Sequence, residues 1–283
     1  MSTELSYILK LLDDPGTSVQ EAIEEYVQRY EGDMSLALAE EKTTLSTKEK
    51  FTLTQYTLEG RRKQLIQNWQ IPDRFHDPKS HDWETFEYLL ALISELLHDG
   101  ITERTRMSDA IDALADEVSL AGAGTNPNDL AEFLFKSGRF TGNKTQYFSK
   151  QNSDLAWVIE SSIGNPKSLA ILYMLLGHRC GLNIYGCNYP GHFLTWVETG
   201  KNTILVDTYN KARILNPQEI IQKNPSISQK AYQALLGPCS FSTIIYRIIS
   251  NLESSYTKEG NLDEKPFFDS LKQSLSASTN NAS

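Results

Sequence analysis

Apolar positions at helical spacing dominate both ends of the chain, and strand-like runs are confined to its middle. Leu5, Ile8, Leu9 and Leu12 form one stripe, Asp13-Asp14-Pro15-Gly16 breaks it, and Ala22, Ile23, Tyr26 and Val27 form a second. Ser18-Val19-Gln20-Glu21 reads as a capping box that opens this second helix. The pair resembles a HEAT-type hairpin, although no second copy follows at a fixed period. A longer helix is predicted from Thr47 to Asn68, ending before Ile71-Pro72, and Pro72 to Ser80 reads as a polar linker. Trp83 to Leu97, Arg106 to Leu120 and Asn128 to Lys136 continue the helical pattern, the last two separated by a loop over Gly122 to Pro127.

The pattern changes after Gly164. From Pro166 to Cys180, Leu169, Leu172, Tyr173, Leu176 and Cys180 recur at helical spacing, with Asn165 as N-cap and Gly181 past the end. Phe193 to Val197 and Thr203 to Val206 are short β-rich runs, and Thr199-Gly200-Lys201-Asn202 between them supplies turn residues. An even-numbered loop centred on Gly200-Lys201 pairs Leu194 with Asp207. His192 and Asp207 are then diagonal neighbours roughly 7 Å apart by backbone. Such a pair serves either of two ends: the carboxylate orients an imidazole base next to a nucleophile, or it pins the hairpin. Beyond it, Asn216-Pro217 starts a short helix, and Phe241 to Tyr256 carries Ile244, Ile245, Ile248 and Leu252 on one face. With Asp263 to Leu275 that helix resembles a tetratricopeptide-like pair, and the polar run Ser276 to Ser283 is expected to be disordered.

Composition narrows the class. With 283 residues, 40% hydrophobic and 22% charged, the chain can bury a substantial core and carry helical appendages. A formal net charge of −9 opposes generic binding to nucleic acid. The compact basic run Arg61-Arg62-Lys63 is expected to be a solvated helix face. Cys180, Cys187 and Cys239 have neither metal nor disulfide spacing, and Met1 to Lys10 lacks the apolar run of a signal peptide, so the cytoplasm is the expected location. His76-Asp77 and His81-Asp82 are potential ligands, but Pro78 interrupts them and nothing completes a shell. Neither a metal nor another cofactor is expected, and no apolar run approaches a membrane span.

The runs Gly164-Asn165-Pro166-Lys167-Ser168-Leu169-Ala170-Ile171-Leu172-Tyr173, Arg179-Cys180-Gly181-Leu182, Tyr185-Gly186-Cys187-Asn188-Tyr189-Pro190-Gly191-His192-Phe193-Leu194 and Val206-Asp207-Thr208-Tyr209-Asn210 resemble, in that order, an atypical branch of the transglutaminase-like core family. That branch occurs in bacterial SirB-type proteins, often ahead of tetratricopeptide repeats. The likeness continues upstream through Leu134-Phe135, Phe140 to Asn143, Tyr147 and Asn152-Ser153, and covers about Asp82 to Asn210.

The resemblance implies an α+β fold with a papain-like core, a central helix packed on a small antiparallel sheet. The implied organisation is an N-terminal helical region over 1–75, a transglutaminase-like domain over 80–238, a C-terminal helix pair over 239–275 and a tail over 276–283. It also implies a Cys-His-Asp site whose His and Asp are His192 and Asp207. Sliding the catalytic pattern onto Ala170, Gly181, His192 and Asp207 puts its cysteine position on Pro166. The nucleophile is therefore missing, and proline suits a first helical position because its absent N–H costs nothing there. Ser168 is a substitute candidate, although two helical steps, about 200°, turn it away from the face of Pro166. Cys187 lies five residues before His192, on the opposite face of a continuous strand, and is expected to be a small buried hydrophobe. The expected function is a non-catalytic protein- or peptide-binding module with Asn165, Gly191, Tyr209 and Asn210 at its cleft. The alternative is a hydrolase or acyl-transferase using His192, Asp207 and Ser168 or a relocated nucleophile.

Overall fold

The computed structural model describes residues 3–42, 44–200 and 202–276. The chain divides into two units, Met1–Trp69 with Leu92–Thr105, and Gln70–Ala91 with Arg106–Ser283.

The first unit contains α1 (Thr3–Leu11), α2 (Thr17–Gln28), α3 (Ser35–Glu41) and α4 (Thr47–Asn68). The two predicted stripes meet in one core, where Leu5, Leu9, Leu12, Ile23, Tyr26 and Val27 join Met34, Leu38 and Leu53. The expected capping box of α2 does not form: Gly16 is the N-cap and no side chain caps the helix. The acidic break takes over instead, with Asp14 Oδ1 accepting from Gly16 N at 2.8 Å and the Asp14 carbonyl accepting from Gln20 Nε2 at 2.6 Å. A capping box does open α4, between Ser46 and Glu49. Arg61 corrects the reading of its basic run as a solvated face. It is buried, and its guanidinium donates to the carbonyls of Leu96 at 2.9 Å and Thr54 at 3.1 Å. Glycine also lets the turn at Gly32 approach α4, since a Cβ on Gly60 would lie 2.5 Å from the backbone nitrogen of Gly32.

In the second unit, α5 (Trp83–Leu97, to Ala91 in this unit), α6 (Met107–Leu120) and α7 (Pro127–Ala131, continued by a π turn over Glu132–Lys136) precede a short parallel pair, β1 (Thr141–Gly142) with β2 (Ile163–Gly164). Between these strands lies α8 (Leu155–Ser161). Next comes α9 (Pro166–Arg179), with buried residues on every side from Leu169 to Gly177, as expected of a helix that is apolar all round. The antiparallel sheet follows, with β3 (Ile184–Cys187), β4 (Leu194–Thr199), β5 (Asn202–Asp207) and β6 (Arg213–Leu215) in that spatial order. This mixture of helices with a small antiparallel sheet is an α+β fold.

α9 packs on β3 and β4. Gly177 makes the approach possible, because a Cβ there would meet Ile184 Cδ1 at 2.6 Å. The opposite sheet face buries Cys187, Leu194, Trp196 and Leu205 against Leu235, Ile220 and Ile221, which belong to α10 (Pro217–Lys223), α11 (Gln229–Ala234) and the turn after it. α12 (Phe241–Lys258) and α13 (Lys265–Ser276) close the unit, with Phe241 stacked on Phe86 at 4.3 Å between centroids. Ser276 ends α13, and the rest of the polar tail lies outside the described residues. Among the described residues, no helix is long and apolar enough to cross a membrane.

The two ends of α9 are held differently. At its start, Asn165 Oδ1 accepts from the backbone N–H groups of Lys167 and Ser168 at 2.9 and 3.0 Å, while Ser168 Oγ accepts from Asn165 N at 2.9 Å. At its end, Arg179 forms two parallel bonds to Glu87, at 2.9 and 2.8 Å, and one to Asp112 at 2.8 Å. Because a buried helix start has no water to fall back on, Asn165→Ala should lower stability by about 1 to 2 kcal/mol. Asn165→Asp should recover most of it. Urea denaturation followed by circular dichroism measures both, and an unchanged midpoint in Asn165→Ala would contradict this account of the cap.

Candidate functional site

The hairpin register brings His192 and Asp207 together. Thr199 pairs with Asn202 and Thr195 with Val206, so two residues separate the strand ends and the same register carries Leu194 towards Asp207. β4 begins at Leu194, not at Phe193 as the residue pattern suggested, and His192 sits in the bend ahead of it. Gly191 adopts φ +74°, a conformation glycine tolerates without strain, and His192 N donates to the carbonyl of Tyr189 at 3.2 Å. Out of the strand's alternation, the imidazole Nε2 reaches Asp207 Oδ1 at 2.8 Å.

Asp207 ends β5 and caps the 3-10 turn Thr208–Asn210. Its Oδ1 also accepts from Asn210 N at 3.2 Å, and its Oδ2 accepts from Asn210 Nδ2 at 2.7 Å. Burial alone would raise the Asp207 carboxyl, but the hydrogen bonds from His192 and Asn210 outweigh it and hold the group below its ordinary value. A carboxylate on Nε2 selects the tautomer whose Nδ1 is the free acceptor. In that form the ring can take a proton through Nδ1 alone.

A polar scaffold connects this pair to the start of α9. Tyr209 OH donates to the carbonyl of Asn143 at 3.2 Å, and its ring covers Gly142, where a Cβ would come within 2.5 Å of ring carbon Cε2. Asn143 N donates in turn to the carbonyl of Gly164, the residue before the N-cap, at 2.8 Å. Inside the preceding loop, Asn143 Nδ2 donates to Asn152 Oδ1 at 3.0 Å, with both side chains buried. The Tyr209 ring lies edge-on to His192, 6.3 Å between centroids. Thus Asn165, Gly191, Tyr209 and Asn210 all occur in the framework around His192 and Asp207.

The potential nucleophiles are each occupied. Pro166 is buried at the first position of α9. The Ser168 hydroxyl is 2.9 Å from Asn165 N and 3.2 Å from the Asn165 carbonyl, within the helix cap. Cys187 is buried, its Sγ lies 3.2 Å from the Ala234 carbonyl, and burial pushes its thiol up to about 12. Among the described residues, no three His, Cys, Asp or Glu side chains converge to hold a metal, and Asp82 pairs with Arg74 at 2.7 Å.

Two cations escaped the reading of the sequence. Lys167, in the first turn of α9, is half-buried, and burial followed by repulsion from Arg247 lowers its amine to about 7. Arg247 donates to Asn188 Oδ1 at 2.5 Å and to the Tyr189 carbonyl at 3.4 Å, bracing the loop that ends in His192. The available signal was a lone charge in the run Phe241 to Leu252, which is otherwise apolar or neutral and has no evident use for one.

Comparison with known proteins now adds to this geometry. A family model described as the transglutaminase-like superfamily matches residues 105–250. A UPF0162 protein of Xylella fastidiosa is 31% identical over 137 residues, 46% of this chain and 49% of that protein. A UPF0162 protein of Vibrio cholerae is 31% identical over 133 residues, 44% of this chain and 48% of its own length. Human F-box only protein 21 is 26% identical over 135 residues, 45% of this chain and 21% of that protein. The chain therefore spans about half the length of the bacterial relatives and about a fifth of the F-box protein. No solved structure matches the chain.

The lowered Asp207 carboxyl has a consequence in acid. A carboxyl whose folded value lies below its unfolded value, ordinarily 3.8, contributes stability above that value and loses it as the pH falls through the folded one. The stability difference between the wild type and Asp207→Asn should be level down to about pH 5 and shrink below about pH 4. Urea midpoints of both proteins across that range measure it. A difference that grows in acid would show that the carboxylate is not the stabilised form.

Proposed function

The chain belongs to the transglutaminase-like superfamily, and from that premise we propose that it is a non-catalytic member whose cleft binds a protein or peptide. One observation carries this reading. At the start of α9, where catalytic relatives of this fold bear their cysteine, stands Pro166, buried and without an N–H, and the neighbouring Ser168 hydroxyl is taken up by the cap. The 2.8 Å bond between His192 and Asp207 would suit a base and its orienter, but thioester chemistry begins with a thiolate and the buried Cys187 thiol is protonated at neutral pH. The core is read as papain-like, of the SirB type, with α1 and α2 as a HEAT-type hairpin and α12 and α13 as a tetratricopeptide-type pair. Such helical elements suit protein binding.

The test combines labelling with selection. Serine- and cysteine-directed covalent probes should leave the purified chain unmodified at Ser168 and Cys187, and a displayed peptide library should yield binders that a His192→Ala chain retains less well. Labelling of either residue that disappears in His192→Ala would establish a working nucleophile and overturn the reading.

Pro166→Cys is the sharper variant. It restores a thiol at a helix start, where the N–H groups and dipole lower its pKa, yet burial at that position opposes them. Loss of proline should cost about 1 kcal/mol or less. The native thiols give little background, since burial raises all three and pushes Cys187 and Cys239 to about 12. Iodoacetamide at neutral pH should modify the variant no faster than a free cysteine, with or without His192. Rapid, His192-dependent alkylation would mean that the site lacks only its nucleophile.

A further inference from the structure

Arg247 is a half-buried cation without a counter-charge. Its guanidinium spends its bonds on the neutral oxygens of Asn188 and Tyr189 and lies 5.3 Å from the centroid of the Phe193 ring. Among the described residues it forms no ion pair, and burial holds it below its ordinary value. Burial, and then repulsion from Arg247, lowers the nearby Lys167 amine as well. The missing counter-charge is unexpected in a chain with 36 acidic and 27 basic residues, where a cation has many carboxylates to choose from. Burying like charges together without a counter-ion is costly.

A cavity of about 650 Å³ opens at Arg247. Its wall includes Lys230, His76, Ser242 and Gly191, and no Asp or Glu. The Nε2 of His76 is buried without a partner among the described residues. Lys230 is exposed and forms no ion pair among them. The start of the 18-residue helix α12 lies on the same wall and adds partial positive charge of its own.

We propose that this cavity takes an acidic segment of a bound peptide, with one of its carboxylates paired to Arg247. The proposal rests on the peptide-binding reading and names the chemistry of its ligand. The guanidinium fork matches a carboxylate geometrically. The cavity is far larger than a single small anion, and its two cations, Arg247 and Lys230, stand on different elements, α12 and α11, which suits carboxylates spaced along a chain. Gly191 on the wall places the segment beside the loop that presents His192.

The experiment measures binding of a fluorescent glutamate-rich octapeptide to the full chain, with its glutamine counterpart and inorganic phosphate as further probes. The acidic peptide should bind at least about tenfold more tightly than the glutamine form and weaken with added salt. Arg247→Gln should weaken it by about tenfold or more. Lys230→Gln, an exposed change that leaves folding intact, should weaken it severalfold. Equal binding of the two peptides, or wild-type affinity in both variants, would overturn the proposal, and so would competition by inorganic phosphate at concentrations equal to the peptide's. Library selection of neutral binders alone would sink the acidic preference while leaving the peptide-binding reading intact. Selection of no binder at all would sink both.

Discussion

The second unit depends on satisfying the first turn of a helix that is buried on all sides. A helix leaves its first N–H groups without internal partners, and inside a core each orphan donor is expensive. Here the solution uses three consecutive choices: Asn165 accepts from two of the donors, Pro166 removes another, and Ser168 returns a bond to the cap residue itself. That solution leaves the Ser168 hydroxyl engaged with Asn165 and puts no reactive side chain at the first helical position. These neighbouring groups let the helix begin inside protein.

The remainder of the site is built as an extension of that helix start. Gly164 holds Asn143, Asn143 holds Tyr209, and Tyr209 belongs to the turn that Asp207 caps, so the position of the carboxylate is inherited from the helix through backbone bonds. His192 is fixed independently, through Gly191 and the loop that Arg247 braces. Each partner of the imidazole–carboxylate bond thus has a support of its own, and the geometry needs both.

How much of this could be read from the residues depended on whether the governing interaction is local. The hairpin register was legible because turn length fixes it, and the Asn165 cap and Pro166 were legible because capping preferences act within one turn. Ser18 to Glu21 matched a local pattern too, but α2 already starts at Thr17 behind Gly16, which puts Ser18 inside the helix, and Asp14 supplies the competing bonds. β3 and β6 went unread because strands of four and three residues carry too little periodicity of their own. Arg61 and Arg247 were invisible for a further reason: whether an arginine points inward depends on groups far away in sequence, at Leu96 for one and at Asn188 for the other.

The unlike fastenings at the two ends of α9 bear on how the protein meets its ionic surroundings. The C-terminal fastening is electrostatic, with Arg179 shared between Glu87 and the exposed side of Asp112, and mobile ions weaken such ties. The N-terminal fastening consists of neutral amide, hydroxyl and backbone groups in a dry setting, which mobile ions scarcely touch. A rise in ionic strength therefore weakens chiefly the exposed Arg179–Asp112 tie at the far end of α9 and scarcely alters the neutral cap at its start.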